Sequence, residues 1–431
     1  MRSRFFYGWV IVAIAFVMMA VGYTQRSTFA VFYPVLVEEF GWHRGNTALI
    51  FSFSIIVYGL AAPFAGRLVD RLGPRVVFPF GVCLMSSGIA LCSIATQQWH
   101  FYLLYGVVAA VGLSMVGSTP LNALIANWFV RKRALAFGLY STGFGFSLLG
   151  SPLVQSLITN VGWQRAYLMM GLFTTAIVVP LVVIFMRRSP AEKGMLPDGS
   201  VPGAMPYGAA APRTVETLWM RTEWTVRRAV RTRQFWLMFL ADLCLMGIAQ
   251  QTVLAHSVYL LRDSGFGAQA AANSFSFYGV GITLGYLCAY WSDRIGRERV
   301  LIPGCLLAAA ATALLFLIDG PSRFWLACSS MFFCGLGMGA MVTTFFATIA
   351  DLFQGRDYGA ILGLMTLGFS IGGAFSPWFA GFLHDVTGSY VIAIALVVSA
   401  LLTGAGLVAA VGPHRLRPVR VHSIVSRESR A

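Results

Sequence analysis

The amino-acid sequence predicts an all-α membrane protein of twelve transmembrane helices in two six-helix, pseudo-symmetric halves, with both termini cytoplasmic. Three observations carry that expectation. Of 431 residues, 58% are hydrophobic and 11% charged, with a mean hydropathy of +0.74; a soluble domain is about 25% charged. Lys and Arg crowd into alternate loops. Motifs of the first half also return in the second at a near-constant offset.

Twelve apolar runs lie at about 8–34, 47–66, 76–96, 99–127, 134–159, 165–186, 234–260, 271–290, 299–318, 322–349, 358–383 and 389–411. Runs of this length cross hydrocarbon as helices. The first follows Arg2 and Arg4 as a cleaved leader would, but it is too long and contains Arg26, so it reads as a retained helix. The N-terminus, the loops after spans 2, 4, 6, 8 and 10, and the tail hold 26 of the 31 Lys and Arg residues. The opposite loops hold four, Arg44, Arg165, Arg262 and Arg323, and Arg26 is the remaining one. The positive-inside rule then puts both termini in the cytoplasm. The net charge of +15 is assigned to topology, and no nucleic-acid partner is expected.

Residues 1–186 and 234–412 form the two bundles, 187–233 a cytoplasmic linker and 413–431 a basic tail. The linker's Pro, Gly and Ala stretch from Pro197 to Pro212 has the composition of a mobile tether. The part from Glu216 to Arg233 is basic and carries Trp219 and Trp224. It is either a helix lying along the inner leaflet or a solvated segment supplying positive-inside charge.

The halves repeat. Gly138-Leu139-Tyr140-Ser141-Thr142-Gly143-Phe144 aligns with Gly363-Leu364-Met365-Thr366-Leu367-Gly368-Phe369 at an offset of 225, which also pairs Ser151-Pro152 with Ser376-Pro377. Asp70-Arg71-x-Gly73 matches Asp293-Arg294-x-Gly296 at 223. Such a duplication places a substrate site near mid-membrane where the halves meet and argues against an enzyme. The seven cysteines lie in apolar runs without CxxC spacing, so neither a disulfide framework nor a metal site is expected. No Walker A motif or dinucleotide fingerprint is present, and no cofactor is expected.

Arg26 is the first candidate site residue. It sits about five residues past the midpoint of its apolar run, roughly 7 Å from the membrane centre. A guanidinium there costs several kcal/mol unless it faces water, a partner or an anion. It either lines a polar cavity, where it can hold a carboxylate bidentately, or makes a structural salt bridge. Gln25 points about 100° away and is weaker. His256 in span 7 can bind substrate or take a proton, or be a satisfied structural group. Asp242, about five residues to the cytoplasmic side of span 7's centre, is either a proton carrier or a bond to a neighbouring helix. Asn122, Asn273, Tyr278, Thr343 and Thr344 either line the pathway or join helices.

The loop after span 2 reads Gly66-Arg-Leu-Val-Asp70-Arg71-Leu-Gly73-Pro-Arg75. Its glycines permit a tight turn, and Asp70 can meet a helix N-terminus or an arginine, which makes a two-state latch. A basic anchoring loop would explain the arginines but not Asp70 or the glycines. The spacing resembles the loop 2–3 signature of the major facilitator superfamily. The second copy, with Asp293 and Arg294, has Ala289 for the leading glycine and Trp291 for the leucine, so its latch is expected to be weaker.

The loop after span 4, Trp128-Phe129-Val130-Arg131-Lys132-Arg133-Ala134-Leu135-Ala136-Phe137-Gly138, resembles a signature of the monocarboxylate transporter family and its bacterial relatives. Tyr7-Gly8-Trp9 is similar to the end of that family's first signature, with Arg4 where animal members have an acid. Arg26-Ser27 with Val31-Phe32-Tyr33 looks like the segment carrying a substrate-linked lysine in animal members. His256-Ser-Val-Tyr-Leu-Leu-Arg-Asp263-x-Gly265 resembles a span 7 pattern of bacterial members. The family's span 8 arginine and acid are replaced by Gly285 and Gly281, and the span 11 lysine of oxalate exchangers is absent. One strongly basic cavity residue fits a monoanion, or a neutral or bulky substrate, better than a dianion. The glycine pair is expected to leave room for something larger than lactate.

The resemblance implies a secondary active transporter in a bacterial inner membrane, multi-pass and monomeric, moving a small organic monocarboxylate with a proton by alternating access. The alternative is an exporter of a hydrophobic or drug-like compound, with Arg26 only structural. A transporter-like sensor acting through its basic linker is a third reading.

Overall fold

A computed structural model describes residues 6–129, 133–196, 214–215, 224–288, 291–292, 295–353, 358–412 and 419–420. The Pro197–Pro212 stretch, Trp219, most of the tail, and Asp293 and Arg294 lie outside them. Helix occupies every expected span. Ten helices among the described residues are long and apolar enough to cross a membrane. The other two are the polar ones. Span 5 breaks at Gly150 into Arg133–Leu149 and Ser151–Val161, and span 8, Ala268–Leu287, carries Gln269, Asn273, Ser274 and Ser276.

Several helices outrun their apolar cores. Span 1 runs Gly8–Phe40 and span 7 Arg233–Asp263, because a helix satisfies its own backbone whatever its side chains. Arg26 therefore lies close to the centre of its helix, deeper than the apolar run alone indicates. Between spans 2 and 3, Gly73 takes φ 81° and Pro74 starts the next helix at its first position. Only glycine adopts that φ without strain, so the tight turn expected there is present.

Spans 1 and 7, equivalent by the repeat, each contain a π-helical turn, Met18–Gly22 and Leu243–Gln250. Their first residues are 225 apart, the offset of the repeat. Small residues cover both turns. A Cβ on Gly143 of span 5 would come within 2.6 Å of the Phe16 carbonyl, and one on Gly247 within 2.8 Å of Gly372 Cα in span 11. Ser376 donates to the Gly247 and Ile248 carbonyls at 3.1 and 3.2 Å, pairing backbone acceptors that would otherwise be unmet in lipid.

The halves meet chiefly through span 2 on span 11 and span 5 on span 8. Contact is tightest at the end carrying the turns between spans 1 and 2, 7 and 8, and 11 and 12. There Arg44 makes a bidentate pair with Asp263, Nη2 to Oδ1 at 3.0 Å, and its guanidinium lies 3.9 Å from the Tyr259 ring centre. His384 Nε2 is 2.8 Å from Arg44 Nη1 and 3.1 Å from Asp263. Asp385 accepts from the backbone N–H of Arg44 and Gly45 at 3.1 and 2.7 Å. A carboxylate of one half thus caps the helix N-terminus of the other. Arg262 pairs with Glu38 at 2.9 Å. Gly45 and Gly381 let the backbones approach: a Cβ on Gly381 would lie 3.0 Å from Gly45 Cα.

Down spans 2 and 11 the contacts continue through Ser52, which accepts from the Trp378 N–H at 3.2 Å, through Ile55 against Gly373, and through Gly59 against Ser370. One to two turns further, Phe64 is 69% and Leu367 46% exposed. The halves part toward the end that carries Gly73. One end is closed and the other open.

Removing the cap tests this. Asp385→Ala should weaken closure by about 1 kcal/mol, the worth of a helix cap. Labelling of a buried Ser52→Cys reporter by a membrane-impermeant maleimide, with the native cysteines removed, should then rise roughly fivefold.

Candidate functional site

The centre of the interface is built on Arg26. Its helix turns from π back to α at Tyr23–Ser27, which aims the side chain toward the other half. Among the described residues Arg26 makes no ion pair, so the salt-bridge alternative is not found there. Its Nη2 donates to Gln251 Oε1 of span 7 at 3.4 Å, and its guanidinium carbon lies 5.6 and 5.5 Å from the Phe51 and Tyr58 ring centres. Tyr105 donates to the Arg26 carbonyl at 3.4 Å. A cleft beside it is lined by Gln25, Ser54, Met85, Ile89, Tyr105 and Leu113. The setting is one cation among aromatic and aliphatic groups.

Gln25 is buried and turns its amide nitrogen to Ser86 Oγ and the Met170 carbonyl, each at 3.4 Å, while its oxygen has no hydrogen-bond partner. Gln251 was not singled out from the sequence, although the signal was present. The offset of 225 applied to Arg26 gives Gln251, and the two equivalents meet on the axis between the halves.

His256 is buried and does not face this cleft. Its Nε2 lies 2.7 Å from the Pro377 carbonyl, which can only accept, so Nε2 is the donor. Nδ1 then accepts from the Tyr390 hydroxyl at 3.0 Å. Both nitrogens bracket span 7 to spans 11 and 12, and neither is presented to a substrate. That corrects its expected substrate and proton roles in this conformation. Its ring is used beside Pro377, inside the continuous helix of span 11.

Asp242 is buried beside the span 7 π turn. Its Oδ2 accepts from the Phe369 N–H of span 11 at 3.0 Å, and Oδ1 has no hydrogen-bond partner. It does not touch Arg26. Gly368 makes the approach possible, since a Cβ there would meet the Phe239 carbonyl at 2.7 Å.

The remaining candidates bond to other side chains away from Arg26. Asn122 Oδ1 accepts from the Tyr140 hydroxyl, tying span 4 to span 5. Asn273 accepts from Gln269 at 3.0 Å near the closed end. Tyr278 is fully buried and donates to Met338 Sδ at 3.2 Å. Asn122 and Tyr278 thus tie neighbouring helices, Asn273 bonds within its own helix, and none of the three lines the Arg26 cleft.

The glycine pair of span 8 overturns an expectation. A Cβ on Gly281 would lie 2.0 Å from the Phe332 carbonyl, and one on Gly285 2.4 Å from the Leu336 carbonyl. These glycines press span 8 onto span 10 backbone. They add no room for substrate.

In the loop after span 2, Arg75 donates to the Ile184 carbonyl of span 6 at 3.3 Å. Arg71 is exposed and makes no ion pair among the described residues, and the Asp70 side chain lies outside them. In the second copy Gly296 repeats the positive φ of Gly73, at 108°. Arg297 pairs with Asp351 at 3.1 Å. Both arginine contacts stay within one half.

The two monocarboxylate-like signatures pack on each other. Phe6, Tyr7 and Trp9 ring the buried Trp128 and Phe129 at 4.9–6.0 Å between ring centres, and Tyr7 donates to the Phe185 carbonyl at 2.7 Å. At the offset of 225 from Trp128, Phe353 receives Trp224 edge-on at 5.2 Å. Trp224 is 5% exposed, so it plugs the second half. It does not lie against a leaflet as the inner-leaflet helix would require.

The sequence profile of the Major Facilitator Superfamily matches residues 15–348 and again 269–425. The chain belongs to the Major Facilitator Superfamily. It is thus a membrane transporter and not an enzyme. It is 27% identical over 404 residues to bovine monocarboxylate transporter 13, covering 93% of this chain and 88% of that one. To human monocarboxylate transporter 11 it is 27% identical over 407 residues, covering 92% and 81%. Among solved structures, a bacterial homolog of the human lysosomal transporter Spinster, in an inward-facing and occupied conformation, superposes with TM-score 0.65. The identity is 16%, with 95% and 94% of the chains covered. That likeness concerns the fold alone.

The span 8 glycines of this major facilitator transporter give a stability test. Gly281→Ala should destabilise by about 1–3 kcal/mol through overpacking. Gly363→Ala, with nothing within 4 Å of the added Cβ, should be neutral or stabilising by about 0.4–1 kcal/mol. Melting in detergent separates the two.

Proposed function

We propose that this transporter carries a small organic monocarboxylate with an apolar body, together with a proton, by alternating access. Twelve spans and cytoplasmic termini complete the reading, with an integral position in a bacterial inner membrane. The observation that carries it is Arg26, a guanidinium near the centre of its helix with no carboxylate partner among the described residues. Relatives named monocarboxylate transporters support the substrate class. The single cation supports a monoanion over a dianion.

Asp242 is the proton carrier in this reading. A buried carboxylate with one oxygen lacking any hydrogen-bond partner is costly when ionised and cheap when protonated. The open end, by the positive-inside rule, is cytoplasmic, so the conformation is inward-facing. The closed end is then the outer gate. The apolar lining also suits an exporter of an uncharged hydrophobic compound, with Arg26 held by Gln251 alone.

Uptake into proteoliposomes decides between these readings. Lactate, pyruvate and larger branched or aromatic monocarboxylates are offered with and without an inward proton gradient. Gradient-stimulated uptake is expected, with apparent affinity falling about 10- to 100-fold in Arg26→Ala, the loss of a hydrogen bond to a charged group. Undiminished carboxylate uptake by Arg26→Ala, or none by folded wild type, would turn the assignment to the exporter.

Asp242→Asn separates coupling from binding. Exchange of labelled for unlabelled monocarboxylate should persist, while stimulation by the proton gradient disappears. Equal stimulation in the variant would remove Asp242 from the proton path.

A further inference from the structure

We propose that Gln251 is an internal stand-in for the substrate carboxylate, which binds by displacing Gln251 from Arg26 and so breaks a bond between the halves. The inference rests on the reading that Arg26 holds a carboxylate. It adds a residue that the transporter reading does not need.

Three observations carry it. Arg26 and Gln251 are 225 residues apart, the repeat's own offset, and each follows the π-helical turn of its span. They are equivalents that meet where the two halves face each other. Second, the amide is oriented. Gln251 Nε2 donates to the Met246 carbonyl at 3.4 Å, a carbonyl five residues back inside the π turn. With the nitrogen so engaged, only the oxygen is left for a guanidinium that cannot accept. A reversed amide would set donor against donor at one end and acceptor against acceptor at the other. Third, room is kept for the side chain: a Cβ on Gly373 would lie 2.9 Å from Gln251 Cγ. Gln251 is itself buried, at 3% exposure.

The exchange is favourable by the nature of the acceptors. The amide oxygen is neutral and reached by one nitrogen at a long 3.4 Å. A carboxylate offers two charged oxygens to the same fork, so a bidentate pair with a full counter-charge replaces one long bond to a neutral acceptor. The contact therefore holds the guanidinium in place and satisfied while the site is empty, and yields when an anion arrives. Because it joins span 1 to span 7, its loss removes one tie between halves near mid-membrane. Binding is thereby linked to their relative movement.

The test measures the concentration of lactate and of phenylacetate that half-maximally stabilises the full chain against melting in detergent. Gln251→Leu removes the competitor and should tighten binding about two- to tenfold, the worth of one long hydrogen bond. Gln251→Glu, nearly isosteric, should fill the seat with a fixed charge and weaken binding at least tenfold. The swapped pair, Arg26→Gln with Gln251→Arg, should recover binding that Arg26→Gln alone loses, because the two positions are related by the axis. Unchanged or weaker binding in Gln251→Leu, or wild-type binding in Gln251→Glu, overturns the proposal while leaving Arg26 as the carboxylate site. Wild-type binding in Arg26→Ala overturns the underlying reading instead. Should Gln251→Leu not fold, Gln251→Glu and the swapped pair decide the matter.

Discussion

A guanidinium near the centre of a membrane helix sets the terms for everything around it. Its charge is too costly to leave bare in hydrocarbon, and the fold gives Arg26 a polar neighbour without, among the described residues, a counterion. An amide oxygen and two aromatic faces are the compromise. They offset part of the desolvation cost and leave the charge uncancelled. A carboxylate partner would have cancelled it.

The same economy governs the packing. Glycines occur where helix backbones must touch, among them span 8 on span 10, span 7 on span 11, and span 2 on span 11 at the closed end. In lipid no hydrophobic force drives helices together, so close approach and hydrogen bonds carry the association. Polar side chains therefore pair across helices at the weak points of the backbone. Ser376 serves the π turn of span 7, His256 the carbonyl of Pro377, and Asp385 the start of span 2. The closed end needs charge pairing because its helix ends are polar. The parting of the halves at the other end leaves apolar side chains such as Phe64 exposed.

Much of this was legible in the sequence. The helices, their order and the two-fold repeat follow from apolar run lengths and matched motifs, and the tight turn at Gly73 from glycine and proline. Arg26 was legible as well, since a charge in an apolar run is conspicuous. The failures have a common cause. His256 and Asp242 look alike as buried titratable groups, yet one has both nitrogens bonded and the other an oxygen left over. Gly281 and Gly285 look like vacancies, and they are contact points. Residue identity does not reveal what lies opposite.

Hydrophobicity, helix length and charge bias are properties of a segment, so the sequence by itself determined that this chain is a bundle of membrane helices built from two similar halves around one buried cation. The repeat makes Gln251 the equivalent of Arg26, but that the two meet was decided only by the tertiary structure. The pairing of Arg26 with Gln251, like that of Arg44 with Asp263, joins residues more than 200 positions apart. Such pairs depend on the angle and depth at which two helices cross, and the crossing is fixed by the packing of small residues along the whole interface.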